Sequence, residues 1–152
     1  RGDLVMFEYA KIEGVRLSVD FARDNMTVFV SGTKYRVFSF QSSKTNLQYF
    51  VDSVEHHNNN GRDLVTIQGW SLDSYFGLPA KTLLIIEDNT IVKICKQMIF
   101  RPDVASGFNT FVDDTGFNIT FVRKDNKDYK LVLIGQSSDY VAHDLNEHIN
   151  HS

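Results

Sequence analysis

Five histidines, His56, His57, His143, His148 and His151, carry the side chain most often found on a bound metal ion. Their spacing argues against a site. His56 and His57 lie at the end of a strand pattern beside an asparagine-rich loop, and the other three lie in a polar C-terminal segment with no cysteine among them. The sequence therefore predicts solvated histidines and no metal ligand. Acid–base catalysis would need two carboxylates held at a defined separation. The acids Glu87, Asp88, Asp113, Asp114, Asp125 and Asp128 fall in turn-like stretches, where they serve turn formation and solubility. Cys95 is the single thiol, set within an apolar strand pattern, and reads as a small buried hydrophobe, since a reactive thiol needs an electropositive, partly open setting. No Gly-x-Ser-x-Gly elbow, phosphate loop, dinucleotide fingerprint or zinc-protease motif occurs. No catalytic residue and no cofactor are expected, and the domain itself is expected to turn nothing over.

The remaining chemistry is aromatic. Ser74-Tyr75-Phe76-Gly77-Leu78-Pro79 reads as a loop, and loops carry binding residues, so Tyr75 and Phe76 are the candidate ligand-binding residues, with Asp73 at the loop's entrance as the third. An exposed ring there could stack on a sugar; the competing reading tucks both rings beneath the loop. Trp70, directly after a strand glycine, is expected to plug the core. Arg1-Gly2-Asp3 has the letters of an integrin-binding tripeptide, which at a chain end is a frequent accident. Asn25 and Asn118 each begin a glycosylation sequon, and Asn118, inside a strand pattern, is read as an outward polar residue.

These candidates must be positioned by strands. The chain has 152 residues, enough for one domain with a real core, and its 42% hydrophobic and 23% charged residues are ordinary for a folded protein. Twelve Phe and six Tyr favour strands. The net charge of −3 supplies no basic field for a nucleic acid partner. No apolar run approaches the roughly 18 to 20 residues of a membrane helix, so any membrane contact is expected through segments outside this chain. The chain begins at Arg1 rather than Met and is read as a processed product or a piece of a larger protein.

Alternation with a period of two marks half-buried strands at 15–21 and 117–121, and further strands are predicted at 4–10, 27–30, 34–40, 47–54, 64–70, 82–87, 91–98 and 129–135. Turn residues separate them: Glu13-Gly14, Ser31-Gly32, Asn60-Gly61 and Asp88-Asn89. Leu83-Leu84-Ile85-Ile86 is apolar on both faces, so this arm of a hairpin should be central or covered, with the first forty residues as the cover. Arg101-Pro102-Asp103 opens the best short helix, expected over 103–107, because Pro suits a first helical turn and Asp103 meets the positive end of the helix dipole. Three regions result: an N-terminal strand group over 1–46, read as an added sheet or the end of a preceding domain, a β-sandwich core over 47–140, and a polar, frayed tail over 141–152.

The succession Gly69-Trp70-Ser71-Leu72-Asp73, Pro79-Ala80-Lys81, Arg101-Pro102-Asp103-Val104-Ala105 and Thr115-Gly116-Phe117 resembles a β-sandwich accessory domain of bacterial cell-envelope glycosyltransferases and related membrane enzymes of surface-polysaccharide synthesis. The resemblance covers about residues 49–135, and its signature is a "GWxxD" strand end, then "RPDVA", then "sGF". It implies an all-β fold, an antiparallel β-sandwich of Ig-like or jelly-roll-like form, outside the cytoplasm in the bacterial envelope. Its implied partners are a cell-envelope glycan or the parent membrane enzyme, with the catalytic centre elsewhere in the parent. The matching positions Gly69, Trp70, Asp73, Arg101, Pro102, Asp103, Gly116 and Phe117 would be fold-making, with Gly116 supplying a conformation other residues resist and Arg101 pairing with Asp103 or Asp73. A free-standing adhesin or receptor-binding sandwich, bacterial or viral, is the alternative.

Overall fold

A computed structural model describes residues 16–31, 36–42, 44–96, 99–108 and 112–149. The strand predicted at 4–10 and the Arg1-Gly2-Asp3 tripeptide lie outside the described residues. The described chain is an all-β sandwich of antiparallel strands with two short helices. The strands are β1 (Arg16–Ala22), β2 (Asn25–Ser31), β3 (Arg36–Gln41), β4 (Leu47–Asn59), β5 (Arg62–Asp73), β6 (Thr82–Glu87), β7 (Thr90–Cys95), β8 (Gly116–Arg123), β9 (Tyr129–Ile134) and β10 (Tyr140–Asp144). The helices are α1 (Pro102–Gly107) and α2 (Asn146–Ile149).

One sheet has seven strands in the order β10-β9-β6-β7-β1-β2-β3, and the other has three in the order β4-β5-β8. The larger sheet folds round on itself. Gln41, at the end of β3, bridges Asp139, beside the strand at the opposite edge, and its N–H donates to the Ser138 carbonyl at 3.1 Å. Rolling a sheet in this way leaves fewer unpaired edge groups to template aggregation. Inside the roll, Leu17, Val19, Met26, Val28, Val30 and Phe40 pack with Leu84, Ile86, Val132 and Ile134.

The opposite face of the same central strands builds a second core. Leu83, Ile85, Leu131 and Leu133 pack with Val65, Ile67, Phe117 and Ile119 of the three-stranded sheet. The run Leu83-Leu84-Ile85-Ile86 is thus buried on both faces because β6 is shared by two cores, one of them closed by the N-terminal strands. Each such side chain gains about 1.5–3 kcal/mol from full burial. The described part of the N-terminal group, β1 to β3, does not form an added sheet of its own. It continues the seven-stranded sheet through β7, at the Ser18–Thr90 pair and the Val19 N–H to Asn89 carbonyl bond of 2.8 Å.

Two tight turns follow the turn chemistry read from the sequence. Asn60 and Gly61 both adopt positive φ, 56° and 82°, and join β4 to β5, while Asp88 at φ 55° starts the turn from β6 to β7. Strand β4 runs through His56 and His57 to Asn59, longer than the predicted 47–54, because its hairpin partner β5 pairs along its full length. The helix predicted at 103–107 forms as α1, with Pro102 in its first turn and Val104 buried.

The C-terminal segment corrects the expectation of a polar, frayed tail. Tyr140–Asp144 pairs with β9 as an edge strand, and α2 follows with Leu145 and Ile149 buried against the second core. Two apolar side chains spaced four apart, on one side of a single helical turn, outweigh the polar residues around them.

Candidate functional site

Three loops meet at one end of the sandwich, the β3–β4, β5–β6 and β9–β10 connections, and they enclose an open cleft of about 570 Å³. Asp73, Tyr75 and Phe76 all line it, so the three ligand-binding candidates are brought together. Their roles differ. Asp73 is 2% exposed, and its Oδ1 accepts the N–H groups of Tyr75 at 3.0 Å and Phe76 at 3.3 Å. Its backbone N–H donates to the Leu78 carbonyl at 2.6 Å, and its own carbonyl accepts the Gly77 N–H at 2.8 Å. Asp73 therefore builds the loop: a short acid bonding the backbone two and three residues on stabilises a tight turn.

That turn holds the aromatic residues outward. Tyr75 is 74% exposed and Phe76 48%, with ring centroids 4.9 Å apart at 87°. The reading in which both rings tuck beneath the loop fails, because the turn directs them away from the core and toward the cleft.

The facing wall is polar. Ser39 and Gln41 come from β3, Lys44 and Asn46 from the next loop, and Ser137 and Ser138 from the β9–β10 loop. This wall is tied to the rest by Asp139, whose Oδ2 accepts the Thr45 hydroxyl at 2.7 Å and whose Oδ1 accepts the Ser137 N–H at 3.2 Å. The Asn46 carbonyl takes the Ser74 N–H at 3.0 Å and the Ser74 hydroxyl at 3.1 Å. The cleft thus offers two exposed rings opposite hydroxyl and amide groups and one lysine, a set that can stack on an apolar face and hydrogen-bond its edge. Its two carboxylates already accept bonds from the loops.

Several residues fall elsewhere than expected. Trp70 is not a core plug. Its neighbour Gly69 takes the inward position, where a Cβ would collide with the Phe50 carbonyl oxygen and the Phe117 ring, so Trp70 faces outward, half-buried, with its ring 5.5 Å from that of Phe108. Gly116 lies in an ordinary strand conformation, not at positive φ; its small size admits the side chains of Ile99 and Arg101. Arg101 pairs with Asp103 at 2.8 Å and with Asp52 at 2.7 Å, not with Asp73. The Arg101 hydrogen bond holds the Asp103 carboxyl down at about 2. Cys95 is half-buried rather than enclosed, at the margin of the second core. Asn118 is exposed on β8.

No family model, curated protein or solved structure matches this chain. The site therefore rests on its own geometry.

One grouping has no trace in the spacing of the histidines. Tyr49 Oη lies 2.9 Å from His143 Nδ1, and His143 Nε2 lies 3.3 Å from His148 Nε2. Burial pushes the Tyr49 hydroxyl up in pKa, and burial together with the neighbouring His148 pushes His143 down. The signal that could have found the pair is Leu145 with Ile149, whose burial turns the segment after β10 back over β4. Among the described residues, no group of three or more His, Cys, Asp or Glu converges on a metal position, and no helix is long and apolar enough to cross a membrane.

Proposed function

We propose that this chain is a non-catalytic, extracytoplasmic β-sandwich module of a bacterial envelope polysaccharide glycosyltransferase or related membrane enzyme, which holds a glycan near the membrane through the Tyr75–Phe76 cleft. The observation that carries the reading is the exposure of both rings at the rim of a cleft walled by hydroxyl and amide groups. A pyranose ring has an apolar face of C–H groups and an equatorial belt of hydroxyls. Exposed aromatic faces suit the first, and Gln41, Asn46 and Ser138 suit the second. The ordered succession from Gly69-Trp70 to Gly116-Phe117 supports the envelope setting through its resemblance to such accessory domains.

A glycan array on the isolated chain tests this, repeated with Tyr75→Ala and Phe76→Ala. Binding to an envelope-type glycan that both substitutions abolish, at unchanged thermal stability, is the expected result. Absence of binding to every envelope glycan overturns the sugar-holding role.

A second reading, a receptor-binding or adhesin sandwich, is favoured by the outer face of the three-stranded sheet. There Phe50, 57% exposed, pairs in register with Trp70, and Ile99 and Phe108 stand exposed nearby. A polytopic membrane segment in the same reading frame supports the envelope module; a secretion signal or fibre repeat supports the adhesin.

A further inference from the structure

The C-terminal turn of the chain places two imidazoles on converging supports. His143 projects from the edge strand β10 and His148 from α2, whose backbone is pinned by the burial of Leu145 and Ile149. The Leu145 N–H donates to the Tyr129 carbonyl at 3.0 Å, and Asp144 Oδ1 accepts the Asn146 N–H at 2.9 Å, so the link between the two histidines is itself held. The two Nε2 atoms face each other 3.3 Å apart, with ring centroids at 5.4 Å.

We propose that His143 and His148 form a two-imidazole site for one divalent transition-metal ion of the zinc or copper class, with Tyr49 as the positioning residue for His143. An ion about 2.0–2.1 Å from each nitrogen, the usual imidazole bond length, would see two nitrogens 3.3 Å apart at close to the tetrahedral angle. The Tyr49 hydroxyl at 2.9 Å from Nδ1, its ring edge-on to the imidazole at 81°, restrains the orientation of the His143 ring. When Nδ1–H donates to that hydroxyl, the lone pair sits on Nε2 and points at His148; metal-bound histidines commonly have their second nitrogen fixed in this manner. His148 is exposed, which leaves the remaining coordination positions open to water or to a ligand atom. Neutral nitrogen donors without a carboxylate oxygen select against calcium and magnesium and favour zinc or copper.

Tag-free protein titrated with zinc chloride or copper sulfate, followed by calorimetry and by the imidazole 15N signals, tests the site. The expected result is one saturable equivalent that shifts the His143 and His148 ring nitrogens and raises Tm, while magnesium chloride does neither. His148→Ala, a change at an exposed side chain, should fold with the metal-free Tm of the parent and lose that equivalent. Tyr49→Phe should weaken binding about tenfold or more without changing its stoichiometry. His57→Ala should bind as the parent does. Absence of saturable zinc or copper binding, or an equivalent that survives His148→Ala, overturns the proposal and leaves a shared-proton hydrogen bond between the rings; unchanged affinity in Tyr49→Phe removes Tyr49 from it.

Discussion

Asp73 Oδ1 accepts the backbone N–H of Tyr75 at 3.0 Å, and with the Phe76, Gly77 and Leu78 bonds to the same residue this contact holds the aromatic loop outward. The carboxylate is buried behind the loop it organises, so a residue that is only 2% exposed decides which side chains meet solvent.

Replacing that acceptor should therefore act on stability and on the cleft together. Asp73→Ala leaves the Tyr75 and Phe76 N–H groups without it and should cost about 1–3 kcal/mol in urea unfolding. Asp73→Asn keeps an acceptor oxygen and should cost less. Equal losses for the two variants would remove the turn-forming role.

Gly69 and Gly107 offer opposite outcomes for the same substitution. At Gly69 a Cβ meets the Phe50 carbonyl oxygen and the Phe117 ring, so Gly69→Ala should destabilise by about 1–3 kcal/mol, toward the upper end because one obstacle is backbone. At Gly107, the last helical residue of α1 and not at positive φ, nothing lies within 4 Å, and Gly107→Ala should be neutral or stabilise by up to about 1 kcal/mol. Thermal or urea unfolding of the two variants side by side checks both.

Tyr129 should set the alkaline limit of stability. Its hydroxyl donates to Glu87 Oε2 at 2.7 Å and accepts the Lys124 N–H at 2.8 Å, and burial, with Glu87 adding to it, pushes the phenol up to about 12. The folded value lies above the ordinary value of 10.0, so the stabilising contribution is complete below pH 10 and is lost as pH rises from 10 to about 12. Ultraviolet titration at the phenolate band should show a late component in the folded protein, to which Tyr49 and Tyr129 both contribute, and Tyr129→Phe should remove its latest part. A titration in which every tyrosine ionises together near pH 10 would contradict this.

The segment after β10 should behave as core. Leu145 is fully buried, and Leu145→Ala should cost about 2–5 kcal/mol, as should removal of α2 with it. A frayed tail would tolerate both changes, so unfolding free energies of the point variant and of a chain ending at Asp144 separate the two descriptions.

Much of the fold is legible in local patterns. The alternation of Leu17, Val19 and Phe21 and of Phe117, Ile119 and Phe121 marks strands, because side chains two apart share a face whatever the strand later pairs with. Pro102 and Asp103 open α1 for reasons confined to one helical turn. The position of Trp70 was less legible: the alternation that buries Val65 and Ile67 carries the inward position to Gly69, yet size alone argued for burying the tryptophan. The paired histidines and the ordered C-terminus leave no local signal for a related cause, since Leu145 and Ile149 are only two apolar residues among polar neighbours, and a second core must be waiting before their spacing has meaning.

By itself, the sequence determined that this chain is built of antiparallel strands, that tight turns fall at Asn60-Gly61 and Asp88-Asn89, and that the run from Leu83 to Ile86 must be covered on both faces. The tertiary structure alone decided that Tyr75 and Phe76 stand over a cleft, that Tyr49, His143 and His148 form one cluster, and that β1 to β3 continue the same sheet as β6 and β7. The physical reason is range. Alternation and turn chemistry act between neighbours, whereas the cleft depends on contacts such as Thr45 with Asp139, 94 residues apart, as does the bond from Tyr49 to His143. Such contacts come into being only when the rolled sheet brings its distant loops to the same end of the molecule.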